Sequence, residues 1–119
     1  MPRPLLLVED DEDVREALRA VLRFRGFDVE CARDGVEALR MLWRGFHPCL
    51  ILLDVMLPRV DGYTFRDLQR ADARWADIPV IVVSALNALP DRVENLRPLA
   101  WFRKPFDVDA LTAAVARYC

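Results

Sequence analysis

The feature that most constrains the fold is the apolar run from Cys49 to Pro58. A continuous apolar run of this length, bounded by turn residues, is typical of a strand buried on both faces of a parallel sheet. The run contains one carboxylate, Asp54, and an unpaired charge inside a sheet is very costly. We therefore expect Asp54 at the C-terminal end of this strand, where α/β proteins bind ligands. A lone aspartate there could equally cap the following loop, so its role depends on its neighbours.

Strand-like and helix-like segments alternate five times along the chain. This alternation predicts an α/β protein with a parallel sheet covered by helices on both faces. The strands are expected near residues 4–8, 26–31, 49–54, 78–83 and 100–103. Helical spacing predicts that the intervening helices turn these side chains inward: Val14, Ala17, Leu18, Val21 and Leu22; Val36, Leu39, Leu42, Trp43 and Phe46; Phe65, Leu68 and Ala71; Val93 and Leu96; and Val108, Leu111, Val115 and Tyr118.

Polar groups end four of the five expected strands: Glu9 with Asp10, then Asp54, Ser84 and Lys104. Parallel strands point the same way, so these groups should gather at one edge of the sheet. Three carboxylates placed together repel, and a divalent cation that prefers oxygen ligands, such as Mg²⁺, would remove that conflict.

Lys104 is the only lysine among seventeen basic residues, which draws attention to a site that needs a compact positive charge. An ammonium and the Ser84 hydroxyl would suit an anion rich in oxygens, such as a phosphoryl group. Asp54 at the centre is then the carboxylate that could act as a nucleophile.

Composition narrows the class of protein further. A chain of 119 residues suits a single domain, here residues 1–119, and a net charge of −2 predicts no general attraction to nucleic acid or to anionic membranes. No apolar run is long enough to span a bilayer. Cys31, Cys49 and Cys119 are odd in number and lack metal-ligand spacing, so we expect reduced packing residues in a cytoplasmic protein.

Together these motifs resemble the CheY-like receiver domain of two-component response regulators. The resemblance runs from Leu5 to about Tyr118. It rests on the motifs at residues 7–11, 34–39, 52–58 with Asp61-Gly62, 82–85 and 104–106. It implies a flavodoxin-like fold, a doubly wound five-stranded parallel sheet of order 2-1-3-4-5 with helices on both faces.

The resemblance also implies a role for each gathered residue. Asp54 would accept a phosphoryl group from a sensor histidine kinase or phosphotransfer protein, and Lys104 would bind that group. Ser84 and Trp101 would be the switch hydroxyl and the switch aromatic. Mg²⁺ would be held by Asp10, Asp54 and the main-chain carbonyl of Met56, with Glu9 acting through water. The Lys104–Pro105 bond would be cis.

By the same resemblance the protein is a cytoplasmic phosphoprotein and a signalling switch rather than an enzyme. Its partners would be the kinase and a downstream output domain or protein, with no direct contact to nucleic acid or membrane. Slow self-dephosphorylation is expected at most. Met56 and Leu86, two residues beyond Asp54 and Ser84, are apolar and offer no group to orient a hydrolytic water.

The chain departs from the usual pattern between Ser84 and Lys104, which is short and contains Pro90 and Pro98. The fourth helix, fifth strand and fifth helix form the surface that should change conformation when Asp54 is phosphorylated. We therefore expect this surface to be non-standard. Because this surface is expected to differ, the resemblance does not decide whether the protein dimerises. The chain is expected to be either a stand-alone receiver or a piece of a longer regulator or hybrid kinase.

Three other functions would make different demands on the sequence. A receiver-like interaction module that is never phosphorylated would show no Mg²⁺-dependent response to a small phosphodonor. A phosphatase with an aspartyl nucleophile would need a second aspartate where this chain has Met56. A flavin-binding protein would want a phosphate-binding loop after the first strand, where the acids at residues 9–13 would repel phosphate.

Overall fold

A computed structural model describes residues 3–55, 61–84 and 90–119. Strands and helices alternate as expected, in the order β1 (Leu5–Val8), α1 (Glu12–Phe24), β2 (Val29–Ala32), α2 (Gly35–Trp43), β3 (Ile51–Asp54), α3 (Gly62–Ala71), β4 (Val80–Ser84), α4 (Pro90–Asn95), β5 (Ala100–Arg103) and α5 (Val108–Ala116). The strands form one parallel sheet of order β2-β1-β3-β4-β5. The α/β fold and its strand order are thus confirmed. Among the helices described, none is long and apolar enough to cross a membrane.

The central position of β3 explains its continuous apolar sequence. Leu52 lies in register with Leu7 of β1 on one side and with Ile81 of β4 on the other. All residues of β1, β3 and β4 are buried, because helices cover both faces of the sheet.

Two apolar layers pack against the sheet, one on each face. Leu5 and Leu7 of β1 point toward the layer that includes Leu18 and Leu22 of α1 and residues of α5. Their neighbours Leu6 and Val8 point to the opposite layer, which contains residues of α2, α3 and α4. This alternation is the two-residue period of a strand. Because the side chains of the strand enter apolar layers on both faces, every residue of the strand must be apolar, and the sequence of β1 meets this requirement.

Aspartate side chains cap four of the helices. In each case a side-chain oxygen accepts a hydrogen bond from a backbone N–H in the first turn, which typically stabilises a helix by about 1 kcal/mol. The pairs are Asp11 with Val14, Asp34 with Glu37, Asp61 with Thr64, and Asp107 with Asp109 and Ala110. The helices therefore begin where turn and capping residues occur in the sequence.

Several residues expected to face inward are exposed. On α3, Leu68 is 47% exposed and Ala71 is also exposed, while Trp43 on α2 is 68% exposed. Tyr118 lies beyond the end of α5 and is 45% exposed. Periodicity identifies the apolar side of a helix, but it does not show how far a neighbouring helix covers that side.

Two polar residues occupy the buried side of α3 instead. Arg66 donates hydrogen bonds to the main-chain oxygens of Leu96 and Arg97 and to Gln69 Oε1. The Gln69 amide donates to main-chain oxygens just beyond α3. Arg66 is 7% exposed, and burial lowers its pKa from its ordinary value to about 10, which leaves it charged at neutral pH. Burial of these side chains is tolerated because their donors have acceptors, which are main-chain oxygens and Gln69 Oε1.

The fourth helix is short, as the two prolines indicated. It spans Pro90–Asn95, and Val93 and Leu96 are buried as expected. Arg97 follows with a φ of 50°, a left-handed conformation that ends the helical path.

A disulfide joins Cys49 to Cys119, with a distance of 5.6 Å between the Cα atoms. The expectation that these two cysteines are reduced is wrong, while Cys31 is free and half-buried. The fold brings the residues just before β3 and just after α5 together, although 70 positions separate them in sequence. No local pattern could reveal that pairing. The cytoplasmic location, which rested partly on reduced cysteines, stays a prediction.

The disulfide should contribute to stability. In the chain-entropy model, a cross-link closing a loop of this length stabilises the folded state by about 4 kcal/mol. Urea unfolding of Cys119→Ser should therefore give a lower free energy of unfolding than the wild type, by up to that amount. Cys31→Ser, which leaves the disulfide intact, is the control.

Dithiothreitol should lower the wild-type midpoint to that of Cys119→Ser and leave the variant unchanged. A wild-type midpoint that does not respond to dithiothreitol would contradict this account.

Candidate functional site

The gathered polar residues lie at the C-terminal edge of the sheet. Glu9 and Asp10 follow β1, Asp54 and Ser84 are the last residues of β3 and β4, and Lys104 follows β5. The backbone N–H of Lys104 donates to the main-chain oxygen of Ser84 at 2.8 Å, which continues the strand pairing into the site. The Lys104–Pro105 bond is cis, as the resemblance implied.

Lys104 joins two of the carboxylates directly. Its Nζ lies 2.6 Å from Glu9 Oε1 and 3.2 Å from Asp54 Oδ2. Glu9 and Asp54 are 2% and 6% exposed, whereas Asp10 is exposed to solvent. Residues distant in sequence thus lie together at one edge, as predicted for the strand ends, but the ion pairs of Lys104 with the carboxylates were not predicted.

The protonation of this cluster follows from its charges. Burial, together with the neighbouring Asp54, raises the pKa of Glu9 from 4.5 to about 8. Burial alone would lower the pKa of Lys104, but its hydrogen bond to Glu9 and the charge of Asp54 raise it. One ammonium can neutralise one of two buried carboxylates. Near neutral pH, when no metal ion is bound, the charge of the second carboxylate is best avoided by keeping a proton on Glu9.

The same cluster fits a divalent cation. One ligand atom from each of Glu9, Asp10 and Asp54 lies within 4.8 Å of the others. Glu9 Oε2 is buried, and among the described residues it has no hydrogen-bond partner. A hard cation such as Mg²⁺ takes oxygen ligands and would satisfy this atom directly or through water. Met56, whose main-chain carbonyl was expected to be a further ligand, lies outside the described residues.

Gly62 fixes the backbone that follows Asp54. A Cβ at this position would lie 2.3 Å from Val55 Cα and 2.7 Å from the Asp54 main-chain oxygen, distances that no real side chain tolerates. The Gly62 N–H donates to the Val55 main-chain oxygen at 3.0 Å. The sequence showed only a turn signal at Asp61-Gly62. The need for glycine comes from the close approach of α3 to the end of β3.

Ser84 and Trp101 are in direct contact. The indole Nε1–H of Trp101 donates to Ser84 Oγ at 2.6 Å. Ser84 is fully buried, Trp101 is half-buried, and the Arg103 guanidinium lies over the indole ring at 4.7 Å. The resemblance had named these residues as a pair, but not this hydrogen bond. The chemistry of tryptophan could have suggested this hydrogen bond, because the N–H of a buried indole usually has an acceptor.

This fold and this residue set identify the class of protein. The family model for the response regulator receiver domain matches residues 5–116, and the chain belongs to that family. It is thus a response regulator receiver domain, a signalling module of two-component systems.

Curated relatives of this chain are themselves regulators. It is 38% identical over 117 residues to the DNA-binding dual master transcriptional regulator RpaA of Synechocystis sp. (97% of this chain, 48% of RpaA). It is 41% identical over 113 residues to the response regulator MprA of Mycobacterium leprae (93% of this chain, 48% of MprA). The chain therefore spans about half the length of the curated relatives it matches. Because the name of RpaA describes it as DNA-binding, the expected lack of a nucleic-acid partner is not confirmed.

Solved structures show the same fold over the whole chain. A response regulator receiver protein from Pseudomonas putida superposes with a TM-score of 0.88 at 30% identity (98% of each chain). The receiver domain of a signal transduction histidine kinase from Syntrophus aciditrophicus also gives 0.88 at 30% identity (98% of this chain, 89% of that one).

The raised pKa of Glu9 predicts a pH-dependent stability. An acid with a higher pKa in the folded state binds more protons when folded, so its contribution is full below its ordinary pKa of 4.5 and is lost as pH rises through about 8. In EDTA, the free energy of unfolding should fall across this range by at most about 1.4 kcal/mol per pH unit. Glu9→Gln should flatten that dependence.

Glu30→Gln, an exposed site on the edge strand β2, is the matched control and should keep the wild-type slope. Identical slopes in wild type and Glu9→Gln would show that Glu9 does not hold the proton.

Proposed function

We propose that the protein is a phosphorylation-activated switch in which Asp54 accepts a phosphoryl group from a histidine kinase or a phosphotransfer protein. The observation that carries this proposal is the position of Asp54 at the centre of the sheet edge, beside the Lys104 ammonium and within the acidic cluster. A nucleophile, a phosphoryl-binding cation and a metal site are the components that phosphoryl transfer to a carboxylate needs.

Each residue has a defined part in this reaction. An Asp54 carboxylate oxygen forms a bond to phosphorus as the bond from phosphorus to the donor breaks, and the donor leaves with its electron pair. Lys104 Nζ, 3.2 Å from Asp54 Oδ2, exchanges that contact for a phosphoryl oxygen. Asp10, Asp54 and, as the resemblance implies, the Met56 main-chain carbonyl would hold Mg²⁺, with Glu9 acting through water. The ion, when bound, disperses charge on the phosphoryl oxygens.

Asp54 should be the sole phosphoacceptor. Incubation with acetyl phosphate and Mg²⁺ should add the mass of one phosphoryl group, and EDTA should prevent the addition. Asp54→Asn, which keeps the size of the side chain but removes the nucleophile, should abolish labelling. Asp77→Asn, an exposed carboxylate outside the cluster, should label like the wild type. Intact-protein mass spectrometry measures all four results, and full labelling of Asp54→Asn would rule out the assignment.

The hydrogen bond between Trp101 and Ser84 supports a specific way of transmitting the signal. When Ser84 Oγ donates its proton to a phosphoryl oxygen, the charge-assisted hydrogen bond draws the hydroxyl toward Asp54. The indole, which donates to the same oxygen at 2.6 Å, follows or loses its acceptor. Either result moves Trp101 relative to Arg103 and alters the surface formed by α4, β5 and α5.

Beryllofluoride, standing in for the phosphoryl group, should therefore change the tryptophan fluorescence of the wild type. Trp101→Phe keeps an aromatic ring but lacks the N–H donor, and should lose most of the change. Trp43→Phe removes an exposed tryptophan on α2, and this variant should keep the fluorescence change. A signal that disappears in Trp43→Phe and persists in Trp101→Phe would show that Trp101 is not the switch residue.

The phosphorylated state is long-lived in this proposal. Met56 and Leu86, the apolar residues on which that statement depends, lie outside the described residues. Self-dephosphorylation is slow at most. The downstream partner is an output domain or protein reached through the surface of α4, β5 and α5. Dimerisation through that surface stays open.

A further inference from the structure

An apolar groove of about 670 Å³ lies between α2 and α3, away from the acidic cluster. We call it the α2–α3 groove. Its volume is that of a typical ligand-binding site. The residues that matter here are Leu39, Arg40, Trp43 and Arg44 on the α2 side, and Leu68 and Trp75 on the α3 side.

The groove exposes large apolar side chains that the folded core does not use. Trp43 is 68% exposed and Leu68 is 47% exposed, although both occupy apolar positions of their helices. Trp75, by contrast, is 7% exposed and forms part of the floor. Clustered exposure of this kind, rather than scattered single residues, is a property of interaction surfaces.

Trp43 is held in place despite its exposure. The Arg74 guanidinium lies 4.7 Å from the ring centres of both Trp43 and Trp75, and the two indoles meet edge to face at 6.2 Å. Asp72 fixes the guanidinium with an ion pair at 2.6 Å. An ordered aromatic side chain loses little freedom when a partner covers it, which favours binding.

The charge at the groove indicates the chemistry of its occupant. Arg40 and Arg44 line the groove and are exposed, and in the part of the chain that the structure describes neither has a carboxylate partner. Asp72 is the one acid among the described residues that line the groove, and it is engaged by Arg74. The groove therefore presents an apolar floor beside two unneutralised positive charges.

Other occupants fit this surface less well. A second copy related by a two-fold axis through the groove would bring the same arginines against each other, which is repulsive. The chain as a whole carries a net charge of −2, which opposes a nucleic acid or an anionic membrane. A short acidic segment contacts only the local surface, where the positive charges dominate.

We propose that the α2–α3 groove binds an amphipathic, acidic helical segment of a partner protein. Leucine- or phenylalanine-like side chains along one face of that helix cover Leu39, Trp43 and Leu68, and its acidic residues pair with Arg40 and Arg44. This is helix-in-groove recognition. It goes beyond the proposed switch and does not depend on phosphorylation of Asp54.

The test uses two fluorescein-labelled peptides of about 15 residues, a length at which a helix is marginally stable in water. Both carry the same stripe of Leu and Phe; one has Glu on its flanks and the other has Lys at the same positions. Fluorescence anisotropy should show that the wild type binds the Glu peptide, and that Arg40→Glu/Arg44→Glu weakens binding by ~10-fold or more and favours the Lys peptide. Trp43→Ala should also weaken binding of the Glu peptide.

Arg3→Glu/Arg117→Glu, a reversal at two exposed arginines outside the groove, is the matched control and should bind like the wild type. Arg40→Gln/Arg44→Gln removes the two charges without placing acids near the end of α2. Its affinity for the Glu peptide should lie between those of the wild type and the charge-reversal variant. Asp54→Asn should bind normally, which separates this proposal from the proposed function.

The proposal is overturned if the wild type binds neither peptide, or binds both equally. It is also overturned if the reversal in the groove has no more effect than the control reversal. Concentration-dependent dimers in sedimentation velocity that disappear in Trp43→Ala would show that a second copy, not an acidic helix, occupies the groove.

Discussion

The ion pairs of Lys104 with Glu9 and Asp54 are the interaction on which the functional edge depends. They join the residue after β5 to the end of β3 and to the residue after β1, so the cluster exists only when β1, β3, β4 and β5 are paired. One half-buried ammonium between two buried carboxylates leaves an excess negative charge. That excess is what makes the edge suited to a proton, a divalent cation or an approaching phosphoryl group with its metal.

The strand ends were predictable because a parallel sheet turns a one-dimensional pattern into a three-dimensional one. Apolar strands that each end in a polar residue must place those residues at the same edge, and Glu9, Asp54, Ser84 and Lys104 all lie there. Contacts that depend on tertiary distance were not predictable. The Cys49–Cys119 disulfide and the close approach of Gly62 to Val55 both arise where distant segments pack together.

The third helix shows a different limit of sequence reasoning. Its apolar spacing pointed to Leu68 and Ala71 as inward residues, yet Arg66 and Gln69 are buried and Leu68 is exposed. The main-chain oxygens at the end of α4 and after α3 need donors, and Arg66 and Gln69 supply them. A side chain that satisfies buried carbonyls is more stable inside than its polarity indicates. The displaced apolar side chains then form the wall of the α2–α3 groove.

The hydrogen bond between Trp101 and Ser84 has a fixed polarity. An indole N–H can only donate, so it occupies an acceptor site on Ser84 Oγ and leaves the serine proton free to be given elsewhere. A tyrosine at this position could either donate or accept a hydrogen bond, so the serine hydroxyl could donate its own hydrogen bond to the aromatic partner. With tryptophan the two groups cannot exchange roles. Before phosphorylation, the Ser84 hydroxyl is therefore already oriented as a hydrogen-bond donor with respect to Trp101. The arrival of a phosphoryl oxygen then has only to set the direction in which the hydroxyl donates.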